Sequence, residues 1–164
     1  MALPRCGLVP ASVVKETLGI PPASLDSGKI QPEPFSGSTK KSAVPVIFLV
    51  DNNIPQGTTK VEVHRHEADI FMCIDGEVEF QVEGSLVAPW IWTSPEGKKN
   101  DLELRASEIQ GGVTYHLTAG DILHIPAGQP HIHWTKPGGF ARMWVIKIPT
   151  PTLVPFEDIP GWGV

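Results

Sequence analysis

Charge is scarce in this chain: Asp, Glu, Lys and Arg make up 19% of its 164 residues, against about 25% in an ordinary soluble domain. No basic run occurs and the net charge is −5, which argues against a nucleic-acid partner. Long apolar runs are missing too. The longest, residues 43–50, is interrupted by Pro45 and falls far short of the ~20 residues that cross a bilayer. The two cysteines, Cys6 and Cys73, make no disulfide framework. With no uninterrupted apolar core before Pro10, a secretory signal is not expected, and a reducing, cytoplasmic setting is. No internal repeat is evident.

What the chain has in quantity is punctuation, with 17 prolines and 16 glycines. Proline breaks helices and glycine weakens them, so this composition favours short strands joined by turns. Residues 1–45 are proline-rich and read as an extended N-terminal arm, with a short helix over 12–18 ending at Gly19. From Val46 the pattern turns to β: runs at 46–50, 59–66, 70–74 and 77–82, with Asp75-Gly76 as a hairpin turn between the last two. Residues 84–112 break the regular spacing and predict a long excursion, a candidate lid carrying Trp90 and Trp92. Strand patterns resume at 113–117, 121–125, 132–135 and 142–148. One all-β domain over 46–150, a sandwich or barrel, is expected between the arm and a tail over 151–164.

Two segments carry the chemistry. His64-Arg65-His66-Glu67-Ala68-Asp69 and Pro126-Ala127-Gly128-Gln129-Pro130-His131-Ile132-His133 each hold two histidines at i, i+2. Alternate residues of a strand share a face, so His64 and His66 point together, as do His131 and His133, and antiparallel packing would bring the pairs to one metal ion. Neutral imidazole binds Fe, Zn, Mn, Ni or Cu, and two histidines with a carboxylate is a set used by many non-haem iron oxygenases. One HxH in a strand is weak evidence; two beside glycine-proline turns are specific.

These segments resemble the two motifs of the cupin superfamily. In the first, a glycine precedes a strand ending in HxH, and a glutamate and a later glycine follow; Gly57, His64, His66, Asp69 and Gly76 fill those places. In the second, G-x5-P-x-G-x2-H-x3-N, the matches are Gly120, Pro126, Gly128 and His131, with Thr135 where asparagine is usual. The match covers residues 57–135, about half the chain. The resemblance implies a double-stranded β-helix, or jelly-roll barrel, one divalent transition metal held by His64, His66 and His131, with Asp69 as carboxylate, and a homodimer. Asp69 lies three residues after His66 rather than four and is one methylene shorter than glutamate, so a histidine-only site is the alternative. Counting back from Gly76 keeps Asp69 in phase with Phe71 and Cys73, whereas Glu67 alternates away from His66 and is the poorer ligand unless the strand bends.

His133 has no place in the motif; in phase with His131, it is a general base, a proton shuttle, an extra ligand or a histidine hydrogen-bonded at the pocket wall. Glu62 shares the ligand face of its strand and serves as acceptor or catalytic acid, or else sits at a strand edge in water. Val61 and Val63 on the other face call for cover from another sheet, the arm or a second subunit. Trp90 and Trp92 are expected to be buried under the excursion, Arg142 to be exposed, Cys73 to be a small core residue, and His116 and His124 to be structural. The first functional reading is a metal-dependent enzyme of dioxygenase type, iron first, with zinc, manganese or nickel sharing the ligand chemistry, acting on a small organic molecule. The second uses the metal as a Lewis acid for cyclase, isomerase or lyase chemistry without oxygen. The third is a non-catalytic binder of a small ligand. Neither nucleic acid nor membrane is an expected partner.

Overall fold

The computed structural model describes residues 11–19, 28–30 and 46–163. The helix read in the arm is present as α1 (Ala11–Gly19), and the strands begin with β1 (Gly28–Ile30), β2 (Val46–Asn52), β3 (Val61–His64) and β4 (Glu67–Val82). Next come β5 (Ser85–Val87), β6 (Trp90–Thr93), β7 (Lys99–Ala106) and β8 (Glu108–Gln110). The last four are β9 (Val113–Thr118), β10 (Ile122–Ile125), β11 (His131–Trp134) and β12 (Phe140–Pro149). The rest of residues 1–45 lies outside the described residues, so the arm is seen only in α1 and in β1, which pairs with β2.

Every ladder is antiparallel. One sheet runs β1-β2-β12-β4-β10 and the other β9-β4-β11-β3-β7-β6. They share β4, whose first half lies between β12 and β10 and whose second half lies between β9 and β11. Two sheets stitched by one long strand make an all-β jelly roll, the double-stranded β-helix. The hairpin expected at Asp75-Gly76 is therefore not a hairpin. Asp75 and Gly76 stay in register with Arg142 and Ala141, and Met143 then pairs with Cys73, which leaves Ile74 as one extra residue on β4. This bulge bends the strand from one sheet into the other. Gly76 has φ +78°, and a Cβ there would run into the Phe140 carbonyl. Glycine serves close backbone approach here, a need that in sequence looks the same as a turn.

Residues 84–112 are likewise not an excursion. β7 pairs with β3 and β6 with β7, so this stretch extends the second sheet, while β5 and β8 form a separate two-stranded ribbon. The alternation at Leu104 and Ala106, both fully buried, was the legible sign of a strand.

The core has two parts. Between the sheets lie Ile47, Leu49, Phe71, Phe80, Leu117, Ile125, Met143 and Val145, among others. On the far side of β3, Val61 and Val63 pack with Leu104, Leu86, Ile109 and Ile159. The cover required by Val61 and Val63 thus comes from the β5–β8 ribbon and the C-terminal segment. That segment is held by Ile159, 2% exposed, by stacking of Phe156 on Trp162, and by a hydrogen bond from Leu86 N–H to the Pro160 carbonyl. Each such large apolar side chain stabilises by roughly 1.5–3 kcal/mol.

Candidate metal centre

His64 ends β3 and His131 begins β11, and the two strands are antiparallel neighbours with His131 opposite Glu62. Their loops are tied directly: Gly128 N–H donates to the His64 carbonyl at 2.8 Å. Gly128 has φ +83°, and a Cβ there would press on Val154, so the glycine of the second motif lets this loop sit tight against the first. The imidazole centroids of His64 and His131 are 5.3 Å apart.

His131 is set up as a ligand. Its Nδ1 lies 3.1 Å from the Gln129 carbonyl, and that acceptor fixes the proton on Nδ1 and leaves the lone pair on Nε2. Nε2 is buried with no hydrogen-bond partner and lies 3.8 Å from Asp69 Oδ2. Burial first, and the neighbouring His64 next, push its pKa down from 6.5 to about 4. A neutral imidazole with an unspent lone pair is the donor a transition metal requires.

Glu62 opposes Arg105 in the β3–β7 ladder, and the two form an ion pair. Burial pushes the Glu62 carboxyl up, but its contact with His64 and the charge of Arg105 outweigh this and hold it well below the usual carboxylate range. It is thus an anionic acceptor, and the catalytic-acid role is disfavoured. Its Oε2 lies 3.6 Å from His64 Nε2.

Asp69 is almost fully buried, and directly across the β4–β12 ladder stands Lys147, also buried. Lys147 Nζ lies 2.7 Å from both Asp69 oxygens, 2.9 Å from His64 Nε2 and 3.3 Å from Glu67 Oε1. Sequence reasoning missed this lysine. Its signal was a place in phase with the buried Met143 and Val145 on β12.

His66 lies outside the strands. β3 ends at His64 and β4 starts at Glu67, and the chain bends over Arg65 and His66. Three remote backbone bonds hold that bend: Arg65 N–H to the Leu102 carbonyl at 2.9 Å, and Val154 and Thr150 N–H to the Arg65 and His66 carbonyls. The Arg65 side chain, itself buried, donates to the Val154 carbonyl at 2.8 Å and lies over the Phe156 ring. Strand alternation stops there, so Glu67 enters the cluster, and His66 Nε2 sits 3.4 Å from Glu67 Oε2 with its ring centroid 6.5 Å from that of His64.

One ligand atom from each of Glu62, His64 and His131, or from each of His64, Glu67 and Asp69, lies within 4.8 Å of the others. Among the described residues these are the groups that fit one metal ion, with two histidines and a carboxylate in the first. His66 is in neither. The orphaned His131 Nε2 shows the fit for the first group, whereas the second already surrounds the Lys147 ammonium.

His133 faces the inner cavity. Its Nε2 is 3.0 Å from Asp51 Oδ2, and its ring packs on Phe80 and Phe71 at centroid distances of 5.2 and 6.1 Å. Asp51, on β2 in phase with Ile47 and Leu49, is buried and was not anticipated. This cavity, about 50 Å³, is lined by Glu62, Asp69, Phe71, His133 and Lys147 together with apolar side chains. A second cavity of about 480 Å³ opens on the outer side, lined by Lys60, Glu62, Trp90, Trp92 and Arg105 among others. Trp90 and Trp92 are therefore not buried under a lid; Trp90 is 40% exposed. Arg142 is not exposed either: it is buried, with Nη1 3.6 Å from Asp75 Oδ2. Cys73 is a buried core thiol whose pKa burial raises, and His116 and His124 are exposed, His116 pairing with Glu79 at 2.9 Å.

No family model matches this sequence, and no curated protein matches it. Among solved structures, a recombinant oxalate oxidase in complex with glycolate is 17% identical at a TM-score of 0.48, over 78% of this chain and 54% of that one. A Cupin 2 conserved barrel domain protein from Salinispora arenicola is 15% identical at 0.44, over 76% and 75%, and the Cnp3 cupin domain of Schizosaccharomyces pombe is 11% identical at 0.43, over 81% and 70%. This chain spans about half the length of the oxalate oxidase chains it matches. With the TM-scores of these structures below 0.5, the fold rests on strand order, register and the placement of the two histidine segments on adjacent strands. The fold is a double-stranded β-helix. In this barrel the histidines His64 and His131 meet, and Thr135 accepts a hydrogen bond from Ile54 N–H at 2.8 Å. Among the described residues no helix is long and apolar enough to cross a membrane.

Proposed function

We propose that this cupin-type chain is a metal-dependent enzyme acting on a small organic molecule, with oxygenation of non-haem dioxygenase type as the first reaction class. The observation that carries this reading is His131, whose tautomer is fixed by Gln129 and whose buried Nε2 faces His64, Glu62 and Asp69 without a partner. The ligands in this reading are His64, His131 and Glu62. Asp69 stays with Lys147, and His66 is left outside. A divalent iron-like ion, when bound, supplies Lewis acidity and oxygen activation.

The residues around that point divide the remaining work. Arg105 holds Glu62 in place as an anion. Asp51 holds His133 through Nε2, and the imidazole lines the inner cavity, where it moves a proton. That cavity has room for water or dioxygen but not for an aromatic acid. The organic molecule therefore docks in the outer cavity, whose volume suits a small ligand, with Trp90 and Trp92 as apolar walls and Glu62 as the wall shared by both cavities.

The test is metal content by elemental analysis of protein purified without added metal, set against His131→Ala. Stoichiometric metal in the wild type and its loss in the variant are expected; unchanged content in the variant overturns the ligand assignment. Oxygen uptake with a panel of catechols, 1,3-diketones and keto acids then tests the reaction class. The Asp51–His133 pair favours a second reading, in which the metal acts as a Lewis acid in cyclase, isomerase or lyase chemistry and His133 moves the proton. Turnover that continues without oxygen selects it. Bound metal with no turnover in either condition selects a ligand-binding role. A homodimer in the cytoplasm belongs to the same proposal, and sedimentation equilibrium checks the stoichiometry.

A further inference from the structure

Lys147 belongs to the cluster, yet neither the histidine motifs nor the proposed chemistry uses it. Lysine is almost never fully buried unless paired, and here an interior-facing position of β12 carries it into the middle of the candidate metal centre. Its ammonium has three protons to donate and three groups to receive them: Asp69 at 2.7 Å, His64 Nε2 at 2.9 Å and Glu67 at 3.3 Å. Those three residues are one of the two sets that fit a metal ion. The lysine nitrogen occupies the position that an ion in that set would take.

The conflict reaches the other set through a single atom. His64 belongs to both groups, and its Nε2 has one lone pair. While Lys147 donates to that lone pair, His64 cannot coordinate through it. Charge points the same way. Glu62, Glu67 and Asp69 bring three carboxylates, against the cations of Lys147 and Arg105. A divalent ion added beside a retained ammonium leaves two like-charged groups competing for the same acceptors in a buried site.

We propose that the Lys147 ammonium is a built-in competitor for the metal: it occupies the Asp69–Glu67–His64 set and must release His64 before a divalent ion binds at His64, His131 and Glu62. The inference rests on the metal reading above and deepens it. It makes Lys147 the residue that sets metal affinity. Removing the ammonium frees the lone pair of His64 and adds the carboxylates of Asp69 and Glu67 to the donors within reach.

The test is calorimetric titration of metal-free protein with Zn(II) and Ni(II), comparing wild type, His131→Ala, Lys147→Met and the double variant Lys147→Met/His131→Ala. Expected is a rise in affinity of about 10–100-fold in Lys147→Met, the size by which groups behind a ligand usually tune a site, and loss of that gain in the double variant. Equal or weaker binding by Lys147→Met, with His131→Ala alone abolishing binding in the wild-type background, overturns the competition and leaves the metal reading standing. No binding by any form removes both. Since Lys147→Met strands the buried Asp69 carboxylate and its half-buried neighbour Glu67, Lys147→Gln, which keeps a donor towards Asp69, is titrated in parallel. Thermal unfolding of both variants with and without Zn(II) gives a second readout: a rise in Tm on Zn(II) addition larger than in the wild type is expected, and an equal rise overturns the proposal.

Discussion

Acidifying the metal-free protein will cost it stability through His131. The unfolded chain binds a proton at this imidazole near the ordinary 6.5, whereas the folded protein resists it until about 4, because the ring is buried and neighbours His64. Between those values the unfolded state carries more protons, so stability is fully present above about 6.5 and falls as pH drops towards about 4. The slope is at most about 1.4 kcal/mol per pH unit for one group, which over this window gives about 3 kcal/mol. That is a large share of the ~5–15 kcal/mol that holds a domain together. Urea denaturation of metal-stripped protein at half-unit steps from pH 7 to 4 measures it, with His131→Gln as the reference. Gln does not titrate, so the variant retains every carboxylate contribution and lacks only this one. The wild-type curve should descend more steeply, closing on or crossing that of the variant by about 3 kcal/mol. Parallel curves would refute the argument that His131 is held neutral by burial.

Two further outcomes follow from packing. Gly76→Ala combines a positive φ with a collision at the Phe140 carbonyl, and is expected to destabilise by about 1–3 kcal/mol, read as a lowered urea midpoint. Ile159→Ala empties a buried place under Val61 and Val63 and should cost about 2–5 kcal/mol; an unchanged midpoint would mean that the C-terminal segment is not part of the barrel's core.

What the local sequence carried, it carried through short-range periodicity. Val61 and Val63 alternating with Glu62 and His64, the buried phase of residues 78, 80 and 82, and the glycine-proline loop before His131 all depend on neighbours in the chain, and each was readable as strand or turn. The all-β class and the meeting of His64 with His131 followed from those patterns and from the cupin resemblance. Where tertiary partners overruled periodicity, the reading differed. Gly76 was read as a hairpin turn because a glycine with positive φ looks the same whether it turns the chain or admits Phe140. Residues 84–112 carry prolines and glycines that mask the alternation of Leu104 and Ala106, so the segment has the local look of an excursion.

The centre itself divides along the same line. By itself the sequence determined which imidazoles lie on strands and at what spacing, since alternation of side chains is a property of the extended backbone. Only the tertiary structure decided which of them share the centre. The bend at Arg65 and His66 that brings Glu67 to the cluster is held by Leu102, Thr150 and Val154, and the ammonium at the centre comes from Lys147, 78 residues from the aspartate it meets. Asp51 reaches His133 from one sheet to the other, and Arg105 reaches Glu62 across the β3–β7 ladder. Register between distant strands is set by the packing of the whole barrel, and no window of the sequence contains it.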